Sequence, residues 1–205
     1  MRLCMFTPAE AALERGWPGR IDGDSVVQLA AQTLQAFFSG GSTAREHAEY
    51  RLDDVLLRAP VLEPPSVRRF GSSASFTFCN PAAIRSPGAE IPRPHGRLDA
   101  AARLAAVIGA EGAIGGFTGL VEWRAPELQA PKDCDFALLL GPVVEMEPVD
   151  DRFDWEAACA LAAANTRLRP GDLLAGPVLE LHEDVPAGPF THDFAALGRL
   201  DAVVA

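Results

Sequence analysis

The sequence has 205 residues, and its 28 Asp and Glu against 18 Lys and Arg leave a formal net charge of −10. That length gives one domain, or one domain with a small appendage, and 48% hydrophobic with 22% charged residues excludes a disordered or coiled-coil chain. Acidic balance with scattered arginines offers no basic stripe for phosphates or an anionic membrane, so nucleic acid and membrane are excluded as partners and a small molecule or a protein is expected.

Seventeen of the cations are Arg and only Lys132 is Lys. At the N-terminus MRLCMFTPAEAALERG has no apolar core after Arg2, and no stretch reaches the roughly 18 apolar residues of a membrane span, so a cytoplasmic chain is expected. Cys4, Cys79, Cys134 and Cys159 form no C-x-x-C pair and are read as reduced thiols.

Taken in order, Leu3 to Phe6 form an apolar start, and Asp22-Gly23 supplies a turn before a strand carrying Val26, Val27 and Leu29. Residues 28–38 read as a short amphipathic helix ended by Gly40-Gly41. Pro60, Pro64 and Pro65 then mark a linker, which sets a boundary near residue 60 between a small unit, 1–59, and a larger one, 60–205. No internal repeat is visible.

Beyond it, short apolar runs such as ASFTF, GGFTGLVEW, DFALLLGPVVEM and DLLAGPVLEL alternate with Gly and Pro turns, the texture of a mostly β, α+β domain. LDAAARLAAVIG resists that reading, since its alanines favour helix by propensity alone. A helix is predicted over 155–164, with Asp154 as N-cap, Glu156 in the first turn, and Trp155, Ala158, Cys159 and Ala162 on a core-facing stripe.

The order RLCMF, RIDGDSVVQLA, YRLDDVLLRAPVLEPPSVRRF, FCNPAAI, LDAAARLAAVIG, GGFTGLVEWRAPELQ, KDCDFALLLGP, LRPGDLLAG and ALGRL resembles the fumarylacetoacetate hydrolase (FAH) family over most of the chain. The resemblance implies a mixed β-roll with a small N-terminal β domain, assembled as a homodimer or higher oligomer. It implies carbon–carbon bond cleavage in small 2-oxo or 1,3-dicarbonyl acids, with Mg²⁺ or Ca²⁺ holding the enolate as a Lewis acid and a His-Glu pair on a lid activating water.

Carried over residue by residue, the family's paired glutamates fall on Ala101 and Arg103, and its aspartate ligand falls on Glu122, next to a retained Trp123. The lid segment between Phe70 and Asn80 is reduced to GSSASFTFC, without its histidine, and the threonine of the family's G-T-P is missing from Ala175-Gly176-Pro177-Val178. Lys132 and Asp135 keep the family's K-x-x-D spacing before Leu140-Gly141-Pro142. The resemblance thus makes Lys132, Arg103 and Glu122 the candidate catalytic residues and Trp123, Arg124, Gln129 and Gly176 the candidate substrate contacts.

Hard divalent cations need about six or more oxygen ligands, so one glutamate beside an arginine predicts loss of the family's metal and no cofactor in its place. A guanidinium at Arg103 is expected to pair with Glu122 and to take over part of the cation's charge toward a carboxylate or enolate. Lys132 supplies an ammonium able to act as acid, base or nucleophile. Cys134 reads as an inert thiol, Asp135 as a brace for the backbone or for Lys132, and the dispersed His47, His95, His182 and His192 as exposed or structural.

These readings lead to a divergent enzyme acting on a small oxo acid or 1,3-dicarbonyl compound through an enolate, by decarboxylation, tautomerisation, dehydration or cyclisation rather than hydrolysis. A non-catalytic binding or partner protein of the same fold is the alternative. A hydrolase with shifted ligands requires Asp99, Glu111 or Glu127 to converge on Glu122. A cavity holding Lys132, Arg103 and Glu122 favours the enzyme, and side chains filling that place favour the partner protein.

Overall fold

The computed structural model describes residues 1–11, 13, 15–149 and 152–205. The chain begins with β1 (Arg2–Pro8), β2 (Trp17–Asp22), β3 (Ser25–Leu29), the helix α1 (Leu34–Ser39), β4 (Glu46–Arg51) and β5 (Val55–Arg58). It continues with β6 (Val67–Ser72), β7 (Ser75–Cys79), the short β8 (Ile84–Arg85) and β9 (Glu90–Ile91), then β10 (Asp99–Ile108), β11 (Ile114–Arg124) and β12 (Leu138–Glu145). Helix α2 (Trp155–Ala163) precedes β13 (Leu173–His182), β14 (Gly188–Asp193) and β15 (Arg199–Val204).

The mostly β class read from the sequence is observed. A twelve-stranded sheet runs in the order β4-β3-β2-β1-β12-β11-β10-β13-β6-β7, with β5 added to β1 and β8 to β12, and β14-β15-β9 form a second, three-stranded sheet. The boundary expected near residue 60 falls between β5 and β6, and across it β1 pairs antiparallel with β12, with Leu3 opposite Val144. Leu3, Met5, Leu34 and Phe38 share a buried cluster with Ala105, Leu120 and Leu140, so the two segments contribute to one core.

β10 explains the alanine-rich stretch. All ten of its residues are buried, because packed layers cover both faces of the sheet at this strand. Ala105 and Val107 join the cluster on one face, whereas Leu104, Ala106 and Ile108 join the cluster on the other. Burial on both faces gives an apolar run without polar alternation, and this context overrides alanine's helical propensity.

Helix α1 is shorter than the stretch 28–38 suggests. The first residues of that stretch complete β3, and the helix starts where Thr33 Oγ1 accepts from Ala36 N at 3.1 Å; Gly40 closes it. Helix α2 forms as predicted, with Asp154 Oδ1 accepting from Ala157 N at 2.9 Å and Trp155, Ala158 and Ala162 buried beneath it, while Cys159 is half-buried. No helix among the described residues is long and apolar enough to cross a membrane. Removal of the Asp154 cap in Asp154→Ala is expected to lower stability by about 1 kcal/mol, read as a lower urea midpoint with an unchanged denaturant slope.

Candidate functional site

Alternation along β10 and β11 decides which side chains meet. Residues two apart in a strand share a face, as do directly paired residues on neighbouring strands. Ala101 lies opposite Glu122 and Arg103 opposite Leu120, so Ala101, Arg103 and Glu122 occupy one face, in the core of a sheet built almost wholly from apolar side chains. Ala101 is 1% exposed and brings no oxygen.

Arg103 and Glu122 pair directly. Nε of Arg103 donates to Glu122 Oε2 at 2.9 Å and its Nη1 donates to the carbonyl of Gly176 at 2.8 Å. Glu122 is 1% exposed and Arg103 5%. A second guanidinium, which sequence reading missed, completes the group: Arg69, on β6, donates from Nη1 to Glu122 Oε1 and contacts Cys134 Sγ at 3.8 Å, while its Nε donates to Thr77 Oγ1 at 3.2 Å. The parallel pairing of β6 with β13, Arg69 opposite Ala175, carries it to this face. Its only sequence signal is the Arg68-Arg69 pair, which lies in the β6–β7 hairpin.

Two cations and one anion leave this triad with a net charge of +1. Burial lowers the pKa of Arg103, against the pull of the Glu122 carboxylate. Arg69 is less buried, so burial is outweighed by the same carboxylate and its pKa rises. Among the described residues no protein group hydrogen-bonds Nη2 of either arginine, and neither atom is among the sealed, unpartnered ones. Burial, with the Glu122 charge next in weight, pushes the neighbouring Cys79 thiol up to about 11. Cys134 is also raised, by burial first and then by Asp133. Both thiols are therefore protonated at neutral pH, consistent with the inert reading of Cys134.

The remaining candidates are not drawn into the triad. Lys132 donates to Asp135 Oδ2 at 2.8 Å, the brace expected, but its side chain is 75% exposed. Trp123 is fully buried on the opposite face, its ring 4.8 Å from Phe190. Arg124 shares Glu122's face one step further along β11 and pairs with Asp133 at 3.6 Å. Gln129 is exposed, with its backbone carbonyl accepting from Lys132 N. Gly176 belongs to the site through its carbonyl, and a Cβ there would stand 3.1 Å from Trp155.

The donor set on this face does not fit a hard divalent cation. Both oxygens of its one central carboxylate accept from guanidinium groups, whereas such a cation asks for about six oxygens. Asp99, needed for a shifted-ligand site, is bound by Arg97 at 2.9 Å and by Asp184 N at 3.0 Å. Of the cavities described, none is lined by Lys132, Arg103 or Glu122.

No protein-family model matches the sequence, and no curated protein matches it either. Solved structures do. The chain superposes over its full length on maleylpyruvate hydrolase from a Sphingobium species, with a TM-score of 0.80, 19% identity and 99% of that chain covered. It is similar over its full length to 5-carboxymethyl-2-hydroxymuconate delta-isomerase from Mycobacterium smegmatis (TM-score 0.78, 17% identity, 99% of that chain). A 2-keto-3-deoxy-D-arabinonate dehydratase superposes with a TM-score of 0.78 at 13% identity, covering 100% of this chain and 98% of that one. The chain has the fumarylacetoacetate hydrolase fold.

Within the FAH fold, the triad makes Glu122 a counter-ion for two arginines. Breaking a buried ion pair by removing one partner leaves the other charge uncompensated and costs about 3–5 kcal/mol. Glu122→Gln removes the anion from between Arg69 and Arg103 and is expected to lose stability on that scale, measured by denaturant unfolding. An effect below about 1 kcal/mol would mean that solvent, not Glu122, neutralises the pair.

Proposed function

We propose that the chain is a divergent FAH-fold enzyme that binds a small 2-oxo acid or 1,3-dicarbonyl carboxylate on the Arg69–Arg103 pair and needs no divalent cation to do so. The carrying observation is the net +1 triad, two buried or half-buried guanidiniums sharing one carboxylate, with no hydrogen bond to Nη2 of either among the described residues. One structural neighbour was crystallised with manganese(II) and pyruvate, and others carry the names of an isomerase and a dehydratase, which supports an oxo-acid ligand class for this fold.

Guanidinium groups present planar, permanently charged donors that match a carboxylate or enolate. Fixed before the ligand arrives and set among apolar side chains, they stabilise charge that develops on an enolate oxygen without reorganisation. In this reading Arg103 and Arg69 supply the positive field and Glu122 holds them in register. Lys132, 75% exposed, enters only as a proton donor or acceptor at the rim. Exposed Val178 and Leu181 of β13, opposite Arg103 and Ala101, support the homodimer as the working assembly.

A specific observation favours a second reading, a non-catalytic binding or partner protein: of the cavities described, none is lined by Lys132, Arg103 or Glu122. Proton exchange separates the two. In chelator-treated protein, pyruvate or acetoacetate is expected to bind equally well with and without added Mg²⁺, and Arg103→Ala to weaken binding at least about tenfold, or about 1.4 kcal/mol. Enzyme-accelerated exchange of the ligand's α-hydrogens in D₂O, followed by NMR, marks the enzyme; binding without exchange marks the binding protein. Binding that requires Mg²⁺, or is unchanged in Arg103→Ala, contradicts the guanidinium site, and no binding at all leaves the partner protein.

A further inference from the structure

On the other face of the same sheet lies a cluster that the enolate reading leaves unused. In β13, Glu180 pairs with Ala102 and His182 with Ala100, whereas Arg103 and Ala101 alternate to the opposite side, so this cluster is separated from the triad by the thickness of the sheet. β14 brings the third member, His192, ten residues later. His182 and His192 read as unrelated in the sequence; β14 of the second sheet lies against β13 and makes them neighbours, and Glu-x-His within a strand is the local signal, since it sets a carboxylate and an imidazole on one face.

The three side chains converge, so that one ligand atom from each lies within 4.8 Å of the other two. His182 Nε2 is 3.0 Å from His192 Nδ1, 3.6 Å from Glu180 Oε1, and His192 Nδ1 is 4.0 Å from Glu180 Oε2. Ligands bound tetrahedrally to zinc at about 2.0–2.1 Å stand about 3.3 Å from one another. The observed separations bracket that value, and the long edges belong to Glu180, whose 60% exposed side chain is free to close them.

Both imidazoles are held by aromatic neighbours. His182 meets Phe190 edge-on at 5.3 Å between ring centres, and His192 meets Phe194 at 4.4 Å. His192 is 91% buried, being 9% exposed. Glu180, His192 and Phe194 also line a cavity of about 320 Å³, which leaves room for a water or a small anion beside Glu180 and His192.

We propose that Glu180, His182 and His192 form a zinc site with two nitrogen ligands, one carboxylate and an open fourth position facing that cavity. Two imidazoles select a transition metal over Mg²⁺ or Ca²⁺, which prefer all-oxygen shells. A three-ligand site with an open position is the arrangement of zinc centres that activate water or polarise a ligand. This site rests on its own geometry and does not depend on the oxo-acid reading of the opposite face.

The test uses the full chain, stripped with chelator and titrated with Zn²⁺ and, separately, with Co²⁺ as a spectroscopic probe. One zinc per chain bound at micromolar affinity or better, and the intense visible bands of four-coordinate cobalt, are expected. His182→Gln and His192→Gln each weaken binding by more than about 100-fold, beyond the usual 10–100-fold loss from an outer-shell partner, and Glu180→Gln weakens it at least about tenfold. His192 is buried, so its variant is read together with the more exposed His182 and Glu180 variants, whose far-UV circular dichroism is expected to match the parent. Zinc bound below stoichiometry, a six-coordinate cobalt spectrum, or undiminished affinity in a folded His182→Gln chain overturns the site and reduces the contact to a His–His hydrogen bond.

Discussion

Ten consecutive buried residues in β10 set the terms for this molecule, because a charged side chain placed in that strand must be neutralised by the protein rather than by water. Arg103 is that side chain. An unpaired guanidinium there would carry a desolvation cost of several kcal/mol, and the structure answers with Glu122 across the adjacent strand and the Gly176 carbonyl on the other side. Arg69 then overfills the account of charge: it adds a second cation to one carboxylate, leaving the group positive at the place where the resemblance implies a divalent metal. The Gly176 carbonyl lies where the β10–β13 pairing shifts register between Arg103 and Ala105.

Much of the fold was legible because the resemblance rests on the order of segments rather than on any one motif. The mixed β-roll came with that resemblance, whereas the α2 helix with its Asp154 cap follows from local chemistry. The β10 strand was harder, since alanine's propensity and its burial point in opposite directions and only the packed layers on both faces decide between them. The pairing of Arg103 with Glu122 could be expected from their positions. Arg69 could not, because its contact depends on β6 running parallel to β13, a long-range pairing that leaves no periodic mark. The same limit hid His182 and His192, which only the β13 and β14 strands bring to 3.0 Å. In the other direction, Trp123 adjoins Glu122 in sequence but alternates to the far side of the sheet, and Lys132 keeps the family spacing while its ammonium turns outward to Asp135.

The two faces of one sheet thus carry different chemistry. One offers a fixed, positive, oxygen-poor group suited to an anion, and the other offers two imidazoles and a carboxylate suited to a nitrogen-preferring metal. Residue alternation alone keeps them apart: Ala101 and Arg103 point one way, Ala100 and Ala102 the other. A sheet covered on both faces at β10 lets each side change with little consequence for the other, so a buried arginine is accommodated while the strand itself is preserved.

The central claim is that guanidinium charge occupies the functional place of a cation. It is tested most directly by a crystal structure of chelator-treated protein soaked with oxalate, whose planar dicarboxylate resembles an enolised 2-oxo acid. The account predicts oxalate oxygens on Nη2 of Arg69 and Arg103, with the Glu122 ion pairs retained and no metal between ligand and protein. Oxalate bound only through a divalent ion held by Glu122, with Arg103 displaced, would contradict it.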